Sequence, residues 1–297
     1  MILLTGASGF IGQHLVRSLI MHYGRDGVIS FSSIPSNDTI FIPHFDYHFD
    51  SNYLTKLGYD KIHTIIHAGA FTPKCGIESN DFKKATSNIL NTRKILGLEL
   101  PNLKKVIFIS TIDVYNNTEE LINENTPIAP QSLYGHSKYY CECMTQIWCK
   151  QHEIKFSILR LGHVYGPGEQ GYKKLIPEVM RSLINGEDVK IWGTGEEYRS
   201  FIYIDDVIQA IMSSLKEDTI EEPVNIVSDF SVSIKEVVQS IIRITGINTS
   251  PVHIKSNHIQ RNFRFDNSKL KQILYAPKVS LDEGLRTEWD AFKLLYA

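Results

Sequence analysis

The stretch Ile2-Leu3-Leu4-Thr5-Gly6-Ala7-Ser8-Gly9-Phe10-Ile11-Gly12 decides the fold of this chain. Its first four residues have the apolar character of a buried strand, and the residues from Phe10 onward have the spacing of an amphipathic helix. Between them, Gly6 permits a tight turn, Gly9 lets the backbone approach a pyrophosphate, and Gly12 lets the helix lie close to the strand. The free N–H groups of the helix N-terminus attract an anion. The stretch therefore predicts a dinucleotide-binding strand, loop and helix.

The same alternation of strand and helix continues along the first half of the chain. Strand-like segments occupy residues 2–5, 28–31, 64–67, 106–110 and 156–161, and helical segments occupy residues 10–23, 81–97 and 134–151. Strands separated by helices form parallel sheets that are covered on both faces. We therefore expect an α/β fold with a doubly wound parallel sheet of the Rossmann type.

After residue 161 the pattern loosens into short strands and helices. We expect a dinucleotide-binding domain over residues 1–161, to which the chain returns around 199–228, and a smaller C-terminal α/β region over 162–297 that mainly binds substrate. Ligands bind outside the carboxyl ends of parallel strands. The loops that follow Ser110 and Leu161 are therefore where chemistry is expected.

Composition excludes several classes of function. The chain has 297 residues, of which 42% are hydrophobic and 22% charged, and its net charge is −2. Neither a nucleic acid nor an anionic membrane is indicated as a partner, because both demand an excess of positive charge. The N-terminus lacks the features of a signal peptide, and no apolar run approaches the roughly 18 to 20 residues of a membrane helix. We expect a cytoplasmic protein. The spacing of its cysteines predicts no metal site.

Two segments carry candidate catalytic groups. Tyr134 and Lys138 are spaced i, i+4, so on a helix they lie on the same face. A lysine cation beside a phenol is expected to lower its pKa from about 10 and so to favour proton exchange near neutral pH. Upstream, the strand at 106–110 leads into Ser110-Thr111-Ile112-Asp113-Val114-Tyr115, at the expected carboxyl edge of the sheet.

Together these motifs resemble the extended short-chain dehydrogenases/reductases, the family of NAD(P)-dependent nucleotide-sugar epimerases, dehydratases and ketoreductases. The resemblance rests on Thr-Gly-x-x-Gly-Phe-Ile-Gly at 5–12 and on Tyr-x-x-x-Lys at 134–138. It implies that Thr111 orients the reacting oxygen, that Tyr134 moves the proton, and that Lys138 also holds the nicotinamide ribose. Asp113 stands where sugar dehydratases carry a glutamate base, and Ile112 stands where one class of them carries an aspartic acid. Asp113 is thus either a shortened base or a residue that merely hydrogen-bonds the following loop.

The cofactor-binding residues follow from the same resemblance, except that one position departs from the family pattern. Ser32 stands where NAD-binding members have an acid that accepts hydrogen bonds from the adenosine ribose. This departure favours NADP over NAD, although no arginine or lysine follows closely to pair with a 2′-phosphate. His67 and Asn88 are expected to be structural. The predicted cofactor-binding residues are Gly6, Ser8, Gly9, Phe10, Ile11, Gly12, Ser32, Ser33, Ala68, Gly69, Ala70, Tyr134 and Lys138.

The resemblance further implies a nucleotide-diphosphate sugar as substrate. His163 replaces a family asparagine that contacts substrate, Lys174 belongs to a stretch that lines the nucleotide site, and Trp192 is either a core residue or a contact to the base. Arg199 and Arg261 match two arginines that bind the diphosphate, and each guanidinium group can donate a bidentate pair of hydrogen bonds to it.

Hydride transfer at C4 of the sugar is the reaction that the resemblance implies. Since Ser32 favours NADP, the sequence narrowly favours a 4-ketosugar reductase, followed by a 4-epimerase with tightly bound NAD and then by a 4,6-dehydratase. A non-catalytic dinucleotide-binding protein is the alternative outside the enzymes. The resemblance also leaves open a homodimer formed through the helices at 81–97 and 134–151.

Overall fold

The structure, a computed structural model, describes residues 1–34, 39–43, 58–116, 118, 120–217, 221–255 and 262–296. A seven-stranded sheet of parallel strands lies at its centre. From edge to edge the sheet consists of β11 (Pro223–Ile226), β6 (Lys155–Leu161), β5 (Lys105–Thr111), β4 (Thr64–His67), β1 (Ile2–Thr5), β2 (Val28–Ser32) and β3 (Ile40–Pro43). The doubly wound parallel sheet is confirmed. Because the chain runs outward in both directions from β1, the crevice for a ligand lies at the carboxyl ends of β1 and β4.

The described residues form eight α-helices, of which the first, second, third and fifth in chain order cover the two faces of this sheet. They are α1 (Phe10–Tyr23), α2 (Phe82–Leu96), α3 (Leu133–Gln151), α4 (Leu175–Asn185), α5 (Ile204–Ser214), α6 (Ile234–Thr245), α7 (Ser268–Ile273) and α8 (Leu281–Tyr296). Successive strand side chains point to opposite faces. Accordingly Leu4 belongs to a core shared with α1 and α5, whereas Leu3 belongs to a second core with α2 and α3.

The smaller region lies beyond β6 and contains three short strand pairs. These are β7 (His163–Tyr165) with β10 (Phe201–Tyr203), β8 (Lys190–Trp192) with β13 (Val252–Ile254), and β9 (Tyr198–Arg199) with β12 (Val232–Ser233). The first two pairs are parallel and the third is antiparallel. Helices α4, α6 and α8 pack on one another in the same region.

Strand β11 returns to the central sheet, where it pairs with β6. The domain boundary at residue 161 and the return of the chain around 199–228 stay proposals. Strand β3 was not expected, because its four residues end in a proline and carry too short a pattern to recognise. In the parts of the chain that the structure describes, no helix has both the length and the apolar character needed to cross a bilayer.

Candidate active site

A large cleft of about 990 Å³ opens at the carboxyl edge of the central sheet. The structure brings to it every predicted cofactor-binding residue and all four predicted catalytic residues. Of the predicted substrate residues, His163, Lys174 and Arg199 line it. Trp192 is not among its described lining residues; it lies on β8 with 60% of its surface exposed, so its contact with the base stays a prediction. Arg261 lies outside the described residues.

The loop between β1 and α1 has the geometry that a pyrophosphate requires. Gly6 has a φ of +74°, and a Cβ atom there would lie 2.6 Å from the Cα of Gly69. A Cβ atom on Gly12 would overlap the carbonyl oxygen of Gly6. Gly9 is the N-cap of α1 and has no side chain to cover the first N–H groups of the helix. Open backbone donors beside a loop without side chains fit a dinucleotide phosphate.

Buried hydrogen bonds hold the neighbouring loop beneath this site. The Thr5 hydroxyl lies 2.7 Å from Nδ1 of His67 and accepts a bond of 2.9 Å from the Gly69 N–H. Burial, with the positive charge of Lys138 adding to it, lowers the pKa of His67 to about 3. Asn88 accepts from the N–H of Phe71 at 2.7 Å and donates to its carbonyl at 3.2 Å. His67 and Asn88 therefore have the structural roles expected of them.

Hydroxyl groups line the end of the cleft where the adenosine ribose is expected. Ser32 ends β2, is buried, and donates to the Ser8 hydroxyl at 2.8 Å. Ser33 follows it and also lines the cleft. Among the described lining residues at this end of the cleft, none is a carboxylate and none is a cation. This end thus offers neutral hydrogen-bonding groups to a ribose.

The three central catalytic candidates come from two neighbouring elements. Thr111 ends β5, while Tyr134 and Lys138 lie on the first turns of α3, whose N-cap Ser132 accepts from the Gly135 N–H at 3.1 Å. The hydroxyls of Thr111 and Thr72 line the cleft beside the Tyr134 phenol and lower its pKa. The structure therefore assembles the threonine and the tyrosine that the sequence placed far apart.

Lys138 differs from the expectation in its effect on the phenol. Its ammonium group donates to the carbonyl of Ile109 at 2.6 Å and lies 4.3 Å from the centre of the Phe108 ring. Burial raises the pKa of Tyr134, and the negative charge of Asp113 raises it further, whereas the bonds from Thr72 and Thr111 lower it. The pKa of this phenol is therefore raised by its burial, whereas the sequence predicted that Lys138 lowers it. The lysine is itself desolvated, and burial lowers its pKa to about 8.

Asp113 and Ile112 form a short 3₁₀ turn directly after β5. The Asp113 N–H donates to the Thr111 hydroxyl at 3.2 Å, and Asp113 lines the cleft. Its charge acts on both Tyr134 and Lys174. Ile112 is buried in an apolar cluster with Val114. This turn can supply one carboxylate to the reaction but no second acid.

The opposite end of the cleft is rich in cationic and neutral hydrogen-bonding groups. His163 donates through Nδ1 to the Ser200 carbonyl at 3.3 Å, which leaves Nε2 as an acceptor. Burial, together with the positive charges of Arg199 and Lys174, lowers the pKa of His163 to about 3. The imidazole is therefore neutral, and Lys174 and Arg199 carry the positive charge that an anionic ligand needs.

The sequence did not predict two of the residues that line the cleft. Thr72 lines the cleft near Tyr134 from the loop after β4, and its only signal in the sequence was its position shortly after a predicted strand. Glu169 is buried and lines the cleft from the glycine-rich segment after β7. A glutamate in such a segment carries no distinguishing pattern, so only the packing identifies it.

Comparisons with known proteins agree with this architecture. The profile of the "NAD dependent epimerase/dehydratase family" matches residues 2–227. The chain is 30% identical over 269 residues to a dTDP-D-glucose 4,6-dehydratase of Dictyostelium discoideum, and the match covers 82% of this chain and 62% of that protein, which is less than two thirds of its length.

Solved structures match over the whole chain. A UDP-glucose 4-epimerase of Thermotoga maritima, solved with UDP-glucose, superposes with a TM-score of 0.88 at 26% identity, covering 100% of this chain and 99% of that one. A UDP-glucuronic acid 4-epimerase of Bacillus cereus, solved with NAD, superposes with a TM-score of 0.86 at 27% identity and the same coverage.

Proposed function

The chain belongs to the NAD-dependent epimerase/dehydratase family, and we propose that it is an NAD-dependent 4-epimerase of a nucleotide-diphosphate sugar. The observation that carries this proposal is the convergence of Thr111, Tyr134 and Lys138 in one cleft with the phosphate loop and the cationic end. Reversible oxidation at C4 needs only one proton-transfer group, one group that orients the oxygen, and a hydride acceptor. The cleft provides the first two and a fitting site for the third.

In this proposal each residue has one task. Tyr134 takes the proton of the sugar 4-hydroxyl and later returns it, while the Thr111 hydroxyl fixes the same oxygen. Thr72 and Thr111 stabilise the phenolate by donating to it, which is why both lower the pKa of Tyr134. Lys138 holds the nicotinamide ribose. Bound in this cleft, NAD supplies the hydride acceptor for C4 and one positive charge.

The neutral adenosine end favours NAD in this proposal. A 2′-phosphate adds nearly two negative charges and binds best where an arginine or lysine pairs with it. Ser8, Ser32 and Ser33 offer only hydroxyls and backbone groups there. A hydroxyl pair can still hydrogen-bond the ribose diol, so the loss of the acid at position 32 weakens NAD binding less than the lack of a cation among the described residues of this end weakens NADP binding.

Dehydration is disfavoured by the turn after β5. A 4,6-dehydratase needs a base at C5 and an acid for the leaving hydroxyl, beyond the groups that serve C4. Asp113 is available as one carboxylate, but Ile112 occupies the neighbouring position with an apolar, buried side chain. We therefore assign to Asp113 a hydrogen bond to a sugar hydroxyl.

A 4-ketosugar reductase is the second candidate, and Ser32 is the observation that favours it. The absence of a ribose acid at this position removes a group that repels a 2′-phosphate. The two candidates differ in what the cofactor does: a reductase consumes one NADPH for each product, whereas an epimerase keeps its NAD through the cycle.

The deciding experiment uses the protein as purified. Mass spectrometry of the denatured protein identifies the retained dinucleotide, and NMR follows UDP-glucose, UDP-glucuronic acid and dTDP-glucose separately, without added cofactor. We expect bound NAD and a new C4 epimer of at least one of these sugars. Bound NADP, or turnover only when NADPH and a 4-keto sugar are supplied, would replace the epimerase by the reductase.

We also propose that two copies of the chain pair through α2 and α3. Leu133, Tyr140 and Ile147 recur every seven residues along α3, and they are 37%, 57% and 58% exposed. Phe82 and Leu90 of α2 are exposed beside them. A row of apolar side chains along two adjacent helices fits a four-helix contact. Tyr140→Glu should shift the protein from dimer to monomer in analytical ultracentrifugation, and an unchanged mass would exclude this interface.

A further inference from the structure

A short segment of the chain contacts both sides of the cleft. Residues 166–174, here called the strap, connect the end of β7 to Lys174, the N-cap of α4. Glu169, Tyr172, Lys173 and Lys174 of the strap line the cleft. The strap therefore forms part of the cleft wall, and the proposed reaction assigns it no task apart from the positive charge of Lys174.

The first half of the strap is bound to α1, the helix that begins at the phosphate loop. Nε2 of His14 donates to the carbonyl oxygen of Pro167 at 2.8 Å. Gly168 has a φ of +110°, and a Cβ atom there would lie 3.2 Å from Cδ2 of Phe10 and 3.6 Å from Nε2 of His14. The rings of Phe10 and Tyr172 have their centres 6.3 Å apart. Glycine suits position 168 because any side chain would strain the backbone and crowd α1.

The second half of the strap is bound to the loop after β4. The N–H of Lys173 donates to the carbonyl oxygen of Lys74 at 3.1 Å. Lys74 lies in that loop and lines the cleft. Because this bond joins two backbones, it depends on the paths of the two segments and not on their side chains. The strap thus contacts α1, which follows β1, and also the loop that follows β4.

A segment that contacts both flanks of a crevice has to cross it. The crevice lies at the carboxyl ends of β1 and β4, and residues 6–12 lead from β1 into α1 there. The two flanks approach each other at Gly6 and Gly69, next to the strand ends, since a Cβ atom on Gly6 would lie 2.6 Å from Gly69. The strap joins the same flanks farther along both loops. A dinucleotide at the phosphate loop is therefore expected between the strand ends and the strap.

The strap is fixed at its two ends and held at its middle by weak contacts. At its start, Gly166 has a φ of +140°, and a Cβ atom there would lie 2.6 Å from Cγ2 of Ile204 in α5. Toward its end, Nη2 of Arg181 in α4 donates to the carbonyl of Gln170 at 2.8 Å. A Cβ atom on Gly171 would meet nothing within 4 Å. A single hydrogen bond shifts an equilibrium by about tenfold or less, so contacts of this kind can hold a loop closed and still open in thermal motion.

We propose that the strap closes over the bound dinucleotide, that its contacts with α1 and with Lys74 are its latches, and that their opening limits exchange of the cofactor. The inference deepens the proposed function and rests on it, because an epimerase keeps its NAD through each catalytic cycle. While the strap is closed, the cofactor stays with the protein between the oxidation of C4 and the return of the hydride.

The closure is tested by the rate at which the bound cofactor exchanges. The purified protein is mixed with an excess of the deuterated form of the dinucleotide that it carries, which we expect to be NAD, and mass spectrometry follows the replacement. Gly168→Ala should speed the replacement by about tenfold or more, because the new Cβ crowds Phe10 and His14 and strains the backbone. Gly171→Ala is the matched control, since it makes the same substitution in the strap where the Cβ meets nothing within 4 Å.

The latch at α1 is tested without a change in the strap. His14→Leu removes the hydrogen bond to Pro167 and should speed exchange about fivefold, on the scale of one hydrogen bond. The control is His22→Leu, because His22 is exposed on the same helix and donates at 2.8 Å to the Ser18 carbonyl within that helix. The two variants should have the same Tm, so that faster exchange reports the latch and not a general loss of stability.

The latch at Lys74 requires a change in the backbone. Lys173→Pro removes the N–H that donates to the Lys74 carbonyl, whereas Lys173→Ala keeps it. We expect faster exchange in the proline variant and the wild-type rate in the alanine variant.

The outcomes separate the strap from the proposed reaction. Equal exchange rates within the matched pairs would overturn the closure. Loss of both NAD and NADP from the wild type during gel filtration would also overturn it, because a closed strap has to retain the dinucleotide. Slow exchange that becomes faster in these variants, without epimerisation of any sugar tested, would instead refute the proposed epimerase and leave this inference standing.

Discussion

The buried ion pair between Glu142 of α3 and Arg160 of β6 offers the most quantitative test of what holds the active-site scaffold together. Arg160 donates to Glu142 through Nε at 3.0 Å and Nη2 at 2.7 Å, and the side chains of Arg160 and Glu142 are 4% and 1% exposed, respectively. Glu142 also accepts from Ser110, which directly precedes Thr111. Arg160 reaches the Tyr115 phenol at 2.7 Å. The pair therefore joins α3, β5 and β6 beneath the catalytic residues.

Replacing Glu142 by leucine leaves the Arg160 guanidinium buried without a counter-charge. Breaking a buried pair in this way costs about 3–5 kcal/mol, a large part of the roughly 5–15 kcal/mol that stabilises a folded domain. In a chain of this size, each kcal/mol of lost unfolding free energy lowers Tm by about 2–4 °C, so we expect Tm to fall by about 10 °C. The double variant Glu142→Leu with Arg160→Met removes both charges and should recover most of the loss.

Urea unfolding of the wild type, both single variants and the double variant measures this cycle. The matched control is Glu221→Leu, which breaks an exposed pair with Lys155 whose N–O distance is 3.1 Å. Exposed pairs contribute at most about 1 kcal/mol. The reasoning would be refuted if Glu142→Leu lost no more free energy of unfolding than Glu221→Leu. It would also be refuted if the double variant lost as much free energy of unfolding as the two single variants lose together.

Three further predictions concern the cleft itself. Tyr134→Phe should lower kcat by at least about 100-fold, because the proton-transfer group is lost, and leave calorimetric binding of UDP-glucose unchanged; full activity would remove Tyr134 from the mechanism. Gly12→Ala should abolish the dinucleotide signal in mass spectra of the purified protein and lower Tm, because its Cβ overlaps the Gly6 carbonyl oxygen. Gly171→Ala is the control and should match the wild type, because its Cβ meets nothing within 4 Å. Burial lowers the pKa of Lys138 from 10.5 to about 8. Between pH 8 and pH 10.5 the lysine therefore binds its proton more tightly in the unfolded chain than in the folded protein. The stability of the cofactor-free wild type relative to Lys138→Met should rise with pH across that window. Urea unfolding at several pH values checks the sign, and a constant difference between the two proteins would contradict it.

The sequence alone determined the features that depend on local pattern. Strand β1, the phosphate loop and α1 were recognisable from eleven residues of chain because apolar spacing, turn glycines and a helix start are all local signals. The spacing of Tyr134 and Lys138 likewise places them on one helical face without knowledge of the fold. The parallel direction of the strands followed from their alternation with helices, because this alternation allows few topologies.

Only the tertiary structure decided what depends on packing between distant segments. It brought Thr72 and Glu169 to the cleft that Tyr134 lines, and it directed Lys138 to the Ile109 carbonyl. No pattern in the sequence predicts these contacts, because none of these side chains stands out in its own segment. Each side chain takes its charge state from its neighbours in the folded protein. Burial reverses the expected pKa direction of Tyr134 for the same reason: desolvation is a property of the folded environment and is absent from the sequence pattern.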